Sequence, residues 1–164
     1  MLFRSLPANT PAEFLAHLKS NPDKLAYASS GIGNITHLGV LLFLQMNGAS
    51  AVHVPYKGAA PALLDLAGGR VQFGLPTLGP VLPLVKDKRV RAIAVSSARR
   101  SSQIDVPTLS ETIMPGFEVG SWFGVLAPAK TPSAIINRLH AEFTRALQDP
   151  ETRARLAQEG TEPI

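Results

Sequence analysis

The chain has 164 residues, 45% of them hydrophobic, no cysteine, and a formal net charge of +4 from 16 basic against 12 acidic residues. That is the length of one domain with enough apolar content for a core, and it excludes thiol nucleophiles, disulfide frameworks and cysteine-based zinc sites. With charged residues at 17% and aromatics at 6%, the basic excess is too dilute for a nucleic-acid surface. The longest strongly apolar run, Leu38 to Met46, falls well short of the ~18 residues of a membrane span.

Met1 to Pro7 lacks the basic and long apolar regions of a secretory signal, so the chain as written is expected to carry no export address. Thr10-Pro11-Ala12-Glu13 has the form of a capping box with proline at the first helical position, which predicts a helix over about 11–19. Lys24 to Ala28 reads as a short strand ending in Ser29-Ser30-Gly31-Ile32-Gly33. Asn34 to Met46, apolar nearly all round, reads as a helix packed on a sheet. The alternation repeats: strand at Ala51–Val54, helix at Ala59–Leu66, strand at Val71–Leu75, helix at Leu78–Val85, strand at Arg91–Val95. Strands separated by helices imply crossover connections, a mostly parallel sheet and an α/β class. A second capping box, Thr108-Leu109-Ser110-Glu111, opens a short helix. Beyond it the pattern predicts a long strand over Glu118–Ala127, a helix capped by Thr131-Pro132 with Ile135, Ile136, Leu139, Phe143 and Leu147 on its inner face, and a last helix from Asp149-Pro150-Glu151 to Gly160. One strand and two helices cannot cover their own apolar faces, so this part reads as a second unit whose sheet is mostly absent.

Chemistry concentrates where strands run into helices. At Ser29 to His37 small and hydroxyl residues make the turn, and unpaired amides at a helix start attract an anion. The same residues also serve as plain caps, Ser30 or Asn34 for the helix and the glycines for the turn. Gly31-x-Gly33 lacks the third glycine of a dinucleotide fingerprint, and no phosphate-binding loop motif is present. Two further strand ends share the rim: Val54-Pro55-Tyr56-Lys57-Gly58, with the Tyr56 hydroxyl and the Lys57 cation, and Leu75-Pro76-Thr77, with the Thr77 hydroxyl. Histidines 17, 37, 53 and 140 show no metal-ligand spacing, and His37 and His53 read as satisfied structural residues. No nucleophile elbow and no paired carboxylates occur at the turns, so neither metal, cofactor nor catalytic residue is expected. The basic residues Lys86, Lys88, Arg89, Arg91, Arg99 and Arg100 read as solvated surface, with a docking patch as the alternative.

Taken together, Tyr27-Ala28-Ser29-Ser30-Gly31-Ile32-Gly33, Thr36-His37-Leu38, His53-Val54-Pro55-Tyr56-Lys57-Gly58, Gly69-Arg70-Val71, Pro115-Gly116-Phe117-Glu118-Val119 and Ser121-Trp122-Phe123-Gly124 resemble the extracytoplasmic solute receptors of tripartite tricarboxylate transporters, the Bug proteins. The resemblance runs over nearly the whole chain. It implies a periplasmic-binding-protein fold of two α/β lobes that binds small organic carboxylates and passes them to membrane permease subunits, without catalysis. Under it, residues 1–117 are the second, ligand-binding lobe, 118–127 the strand crossing between lobes, and 128–164 C-terminal helices of an incomplete first lobe. It further implies that about a hundred residues of the first lobe and a signal peptide are missing. The site residues it carries over are Ser29, Ser30, Gly31, Gly33, Asn34, Thr36, His37 and Tyr56, with Thr77. Asn34 stands where relatives usually have Thr or Ser. A cytosolic ligand-sensing domain of a transcription regulator and a small α/β enzyme are the alternative readings; the first lacks a helix-turn-helix, the second an acid–base pair.

Overall fold

Residue 27 of the second strand turns its ring to one side and residue 28 its methyl to the other, and this alternation separates two cores. Tyr27 joins Phe14, Leu18, Val40, Phe43 and Phe73, whereas Ala28 joins Leu63, Leu66, Val71, Val81 and Val90. The computed structural model describes residues 2–3, 6–158 and 160–161. They fall into two compact units, Met1–Ser121 and Trp122–Ile164.

In the first unit the order is β1 (Leu2–Phe3), α1 (Pro11–Ser20), β2 (Ala26–Ser29), α2 (Ile35–Asn47), β3 (Val52–Pro55), α3 (Ala59–Ala67), β4 (Phe73–Gly74), α4 (Leu78–Lys86), β5 (Val90–Arg91) and α5 (Leu109–Thr112). The strands form one sheet in the order β3-β2-β4-β1-β5. β2 pairs in parallel with β3 (Tyr27 opposite His53) and with β4 (Tyr27 opposite Phe73). The sheet is nevertheless mixed: β1, a segment not expected to be a strand, runs antiparallel between β4 and β5.

The sequence places most helices to within a residue or two and overstates the strands. Val71–Leu75 shortens to Phe73–Gly74, and Arg91–Val95 shortens to Val90–Arg91 plus a single parallel bridge from Val95 to Thr108. α1 starts on Thr10, whose side chain accepts from the Glu13 amide at 3.2 Å, but the Glu13 carboxylate reaches back to the amide of Asn9 at 2.7 Å. α5 carries the full reciprocal box, Thr108 and Glu111 each bonding the other's amide at 2.9 Å. At Gly39, inside α2, an added Cβ would stand 2.7 Å from Leu75 Cδ2 and 2.8 Å from Val119 Cγ1, so this helix seats close against the segments after β4 and α5.

The second unit holds α6 (Ser133–Gln148) and α7 (Pro150–Gln158). Asp149 caps α7, accepting from the Thr152 amide at 2.8 Å, and that bond holds its carboxyl below the usual carboxylate range. Thr131 does not cap α6; Pro132 occupies the cap position and makes no side-chain cap bond. The strand expected over Glu118–Ala127 does not form. A strand exists only as one side of a ladder, and apart from Val119, whose amide donates to the Ser96 carbonyl at 2.8 Å, the backbone of this segment finds no partner among the described residues. The apolar face of α6 is not covered either: Ile135 is 50% exposed and Phe143 45%.

Candidate functional site

The chain leaves β2, returns through α2 to β3 on one side, and then crosses through α3 to β4 on the other side of β2. Strand order therefore reverses at β2, and in open α/β sheets the crevice outside the carboxyl ends of the strands at such a point is where ligands bind. Here that crevice is a small open hollow of about 20 Å3, lined by Ser29, Ser30 and Thr36, by Gly74 and Pro76 at the end of β4, and by Leu63 of α3. Thr77 follows Pro76 as the exposed residue before α4, its hydroxyl making no cap bond.

Seven of the expected site residues come together around the start of α2. Gly31 (φ 139°) and Gly33 (φ 78°) lie in backbone conformations that favour glycine, and they bend the chain from sheet to helix within five residues. Asn34 is the cap: its Oδ1 accepts from the Thr36 amide and the Thr36 hydroxyl, both at 3.1 Å. Thr36 Oγ1 in turn accepts from the Ser30 amide at 2.9 Å. The Gly33 amide donates to His37 Nδ1 at 3.2 Å, and the Asn34 amide to the Gly31 carbonyl at 3.2 Å. The capping reading of this turn is thus realised in detail, and the turn closes many of its own donors. The Ser30 hydroxyl and the amides of Ile32 and Ile35 have no hydrogen-bond partner among the described residues.

Beneath the turn the structure assembles a stack. Tyr27 and His53 lie with ring centroids 4.8 Å apart at 18°, and His53 and His37 follow at 4.0 Å and 12°. His53 Nε2 is 2.7 Å from Ser29 Oγ. That distance suits a nucleophile and its base, but Ser29 is only 1% exposed and no carboxylate orients His53 among the described residues. The pair ties the end of β2 to β3. Burial first, and then the neighbouring His37, hold His53 below the usual histidine range. His53 is the satisfied structural histidine its mid-strand position suggests; what the sequence reading lacked is its stacking on His37.

Tyr56 is joined to the turn through its backbone, its amide donating to the Ser29 carbonyl at 3.0 Å. Its hydroxyl points elsewhere, donating to Asp65 Oδ2 at 2.7 Å, while Arg70 Nε donates to Asp65 Oδ1 at 2.8 Å. Burial and then the Asp65 bond push the Tyr56 phenol up to about 12, and the Tyr56 bond, then that of Arg70, lowers Asp65. The Tyr56 proton is therefore committed to a carboxylate of the chain itself. Lys57 is exposed. Of the basic cluster, Arg91 turns inward to the Ala8 carbonyl at 2.7 Å and Arg100 pairs with Glu111 at 2.9 Å.

No group of three or more potential metal ligands occurs among the described residues. The turn thus carries open donors and rests on the stacked rings, and its Ser29, Ser30 and Thr36 also line the hollow.

Residues 2–164 match the family model described as tripartite tricarboxylate transporter family receptor. Protein BugT of Bordetella pertussis is 34% identical over 151 residues, covering 92% of this chain and 46% of its own length. Rpa4515 of R. palustris, solved with adipate, superposes with a TM-score of 0.91 at 36% identity, over 99% of this chain and 55% of that one. MatC from Rhodopseudomonas palustris, solved with bound malate, superposes with a TM-score of 0.85 at 31% identity, over 97% of this chain and 54% of its own. The chain spans about half the length of these relatives. A match over almost every residue, with the same α/β fold of a periplasmic binding protein, means that the chain belongs to the tripartite tricarboxylate transporter receptor family, whose members are solute-binding proteins and not enzymes.

Proposed function

We propose that this protein is the periplasmic solute receptor of a tripartite tricarboxylate transport system, and that it holds a small organic carboxylate at the turn between β2 and α2. The observation that carries this reading is the reversal of strand order at β2 beside a hollow that Ser29, Ser30 and Thr36 line, next to a turn whose Ser30 hydroxyl and Ile32 and Ile35 amides have no partner among the described residues. Malate and adipate, the ligands of the two solved relatives, are carboxylates whose oxygens accept such donors. Gly31, Gly33, Asn34, Thr36 and His37 shape the turn, Ser29 anchors it, and Tyr56 and Thr77 flank it. Residues 1–117 form the ligand-binding lobe, 118–127 the passage to the other lobe, and 128–164 part of that other lobe. Delivery is to the membrane permease subunits of the transporter. The alternatives weighed from sequence, a regulator's sensing domain or an enzyme, have no support in the site.

The test is calorimetric titration of malate and adipate into a receptor in which the half of a relative not spanned here completes this chain. A hydrogen bond to a charged acceptor contributes about 1.5–3 kcal/mol, so Ser30→Ala is expected to weaken affinity roughly tenfold or more. Urea stability should stay unchanged, since Ser30 Oγ makes no hydrogen bond among the described residues and Ser30 is held through its backbone amide. Equal affinity in the variant would remove this turn from the site.

A further inference from the structure

The amide of Gly33 is one of the donors that a carboxylate at this turn would want, and it is occupied. His37, three residues into α2, folds its ring back so that Nδ1 accepts the Gly33 N–H at 3.2 Å. Only a ring with a lone pair on Nδ1 can accept, so the ring is neutral with its proton on Nε2. A proton arriving at Nδ1 ends that bond and sets two donors, Gly33 N–H and His37 Nδ1–H, around one position. An anionic oxygen satisfies both.

Resting on the carboxylate-binding reading above, we propose that capture of the ligand draws one solvent proton onto His37, whose ring then exchanges its bond with the Gly33 amide for a shared hold on the ligand oxygen. His37 is in this sense a built-in competitor that becomes a positioning residue when charged.

The surroundings define where the proton goes. α2, β2 and β3 carry no ionisable side chains other than His37, Tyr27 and His53. Tyr27 stacks on His53, and burial raises its phenol, so it stays neutral. His53 is bonded to Ser29 and stacked 4.0 Å from His37, a spacing at which two imidazolium rings repel, so the pair accommodates one charge. On the neighbouring turn and helix, Lys57 is exposed and Asp65 is held by Tyr56 and Arg70. No carboxylate is bonded to either ring among the described residues, which leaves the ligand as the anion that stabilises the charge.

The experiment is NMR titration of the completed receptor described above, 15N-labelled, with malate and with adipate, between about pH 6 and 8, where the ligand stays ionised and histidine titrates. Shifts of the Ile32, Gly33 and Ile35 amides report binding at the turn, and ring 15N shifts report the proton on His37. Affinity is expected to rise roughly tenfold from pH 8 to pH 6, as a binding-competent state gains population, with His37 Nδ1 protonated only in the bound state at the upper end. His37→Gln, which keeps an acceptor for Gly33 but cannot take a proton, and His37→Phe, which keeps the stack, should each bind with affinity independent of pH. Amide shifts with a pH-independent wild-type affinity, or variants that retain the wild-type pH slope, would overturn the proton coupling and leave the carboxylate site standing. No amide shift with either ligand at any pH would remove both.

Discussion

His53 enters the fold neutral, bonded to Ser29 and pressed between two rings, and the unfolded chain has no such constraint. A histidine held below its ordinary value of ~6.5 binds fewer protons folded than unfolded around that pH. Its contribution to stability is therefore full above the unfolded value and falls as pH drops towards the folded one. His53→Phe should keep the stack, lose the Ser29 bond at a cost of about 1 kcal/mol, and show a flatter stability profile between pH 7.5 and 5.5, checked by urea unfolding across that range. A variant with the wild-type slope would assign that slope to other histidines. The position of His53 in a strand was legible from the alternation of Ala51 to Val54, and so was the turn of small and hydroxyl residues at 29–37. Its neighbours were not, because the Tyr27–His53 register joins strands 26 residues apart in sequence and His37 reaches the pair only through the cap geometry of α2. The same limit applied to Tyr56: the residue type suggested a ligand hydroxyl, and only the fold brings Asp65 within 2.7 Å of it.

Elements whose signals are local formed where their sequence placed them. Thr10, Asn34, Thr108 and Asp149 each accept an amide of their own first turn, since a cap needs nothing more than four consecutive residues. The two boxes differ in surroundings. Thr108 is fully buried and also bridges to Val95, while Thr10 is exposed and its Glu13 bonds one residue upstream. Thr108→Ala should thus cost about 1–2 kcal/mol and Thr10→Ala about 0.5–1 kcal/mol, compared by urea unfolding of the single variants; equal losses would show that burial adds nothing to the cap. Strands obeyed the opposite rule. Leu2–Phe3 became one because β4 and β5 offered edges on both sides, a fact no local pattern contains. Glu118 to Ala127 has the composition of a strand and did not become one, since pairing is a property of two segments and the described residues supply only one.

At the scale of the molecule the outstanding feature is apolar surface in the second unit. Trp122 is 77% exposed and Leu126 90%, and α6 presents Ile135, Ile136, Leu139 and Phe143 along one face with none of them buried. These positions repeat at one, four and eight residues, the spacing of a helix face that meets a core. A contiguous patch of this kind on a soluble chain drives association or takes up apolar probes. The relatives are about twice as long as this chain, so the expectation is that the purified chain alone hides the face against copies of itself. Light scattering should then show a mass that rises with concentration, together with binding of an environment-sensitive apolar dye. Leu139→Glu with Phe143→Glu should suppress both signals and leave the urea midpoint of the first unit within about 0.5 kcal/mol of the wild type, as exposed substitutions do. Joining the half of a relative that this chain does not span should quench the dye signal without any substitution, because the face then has its own sheet to cover. A wild-type chain that stays monomeric and dye-silent at every concentration would mean that α6 finds cover within the chain in solution, and the lobe assignment of residues 128–164 would have to be abandoned.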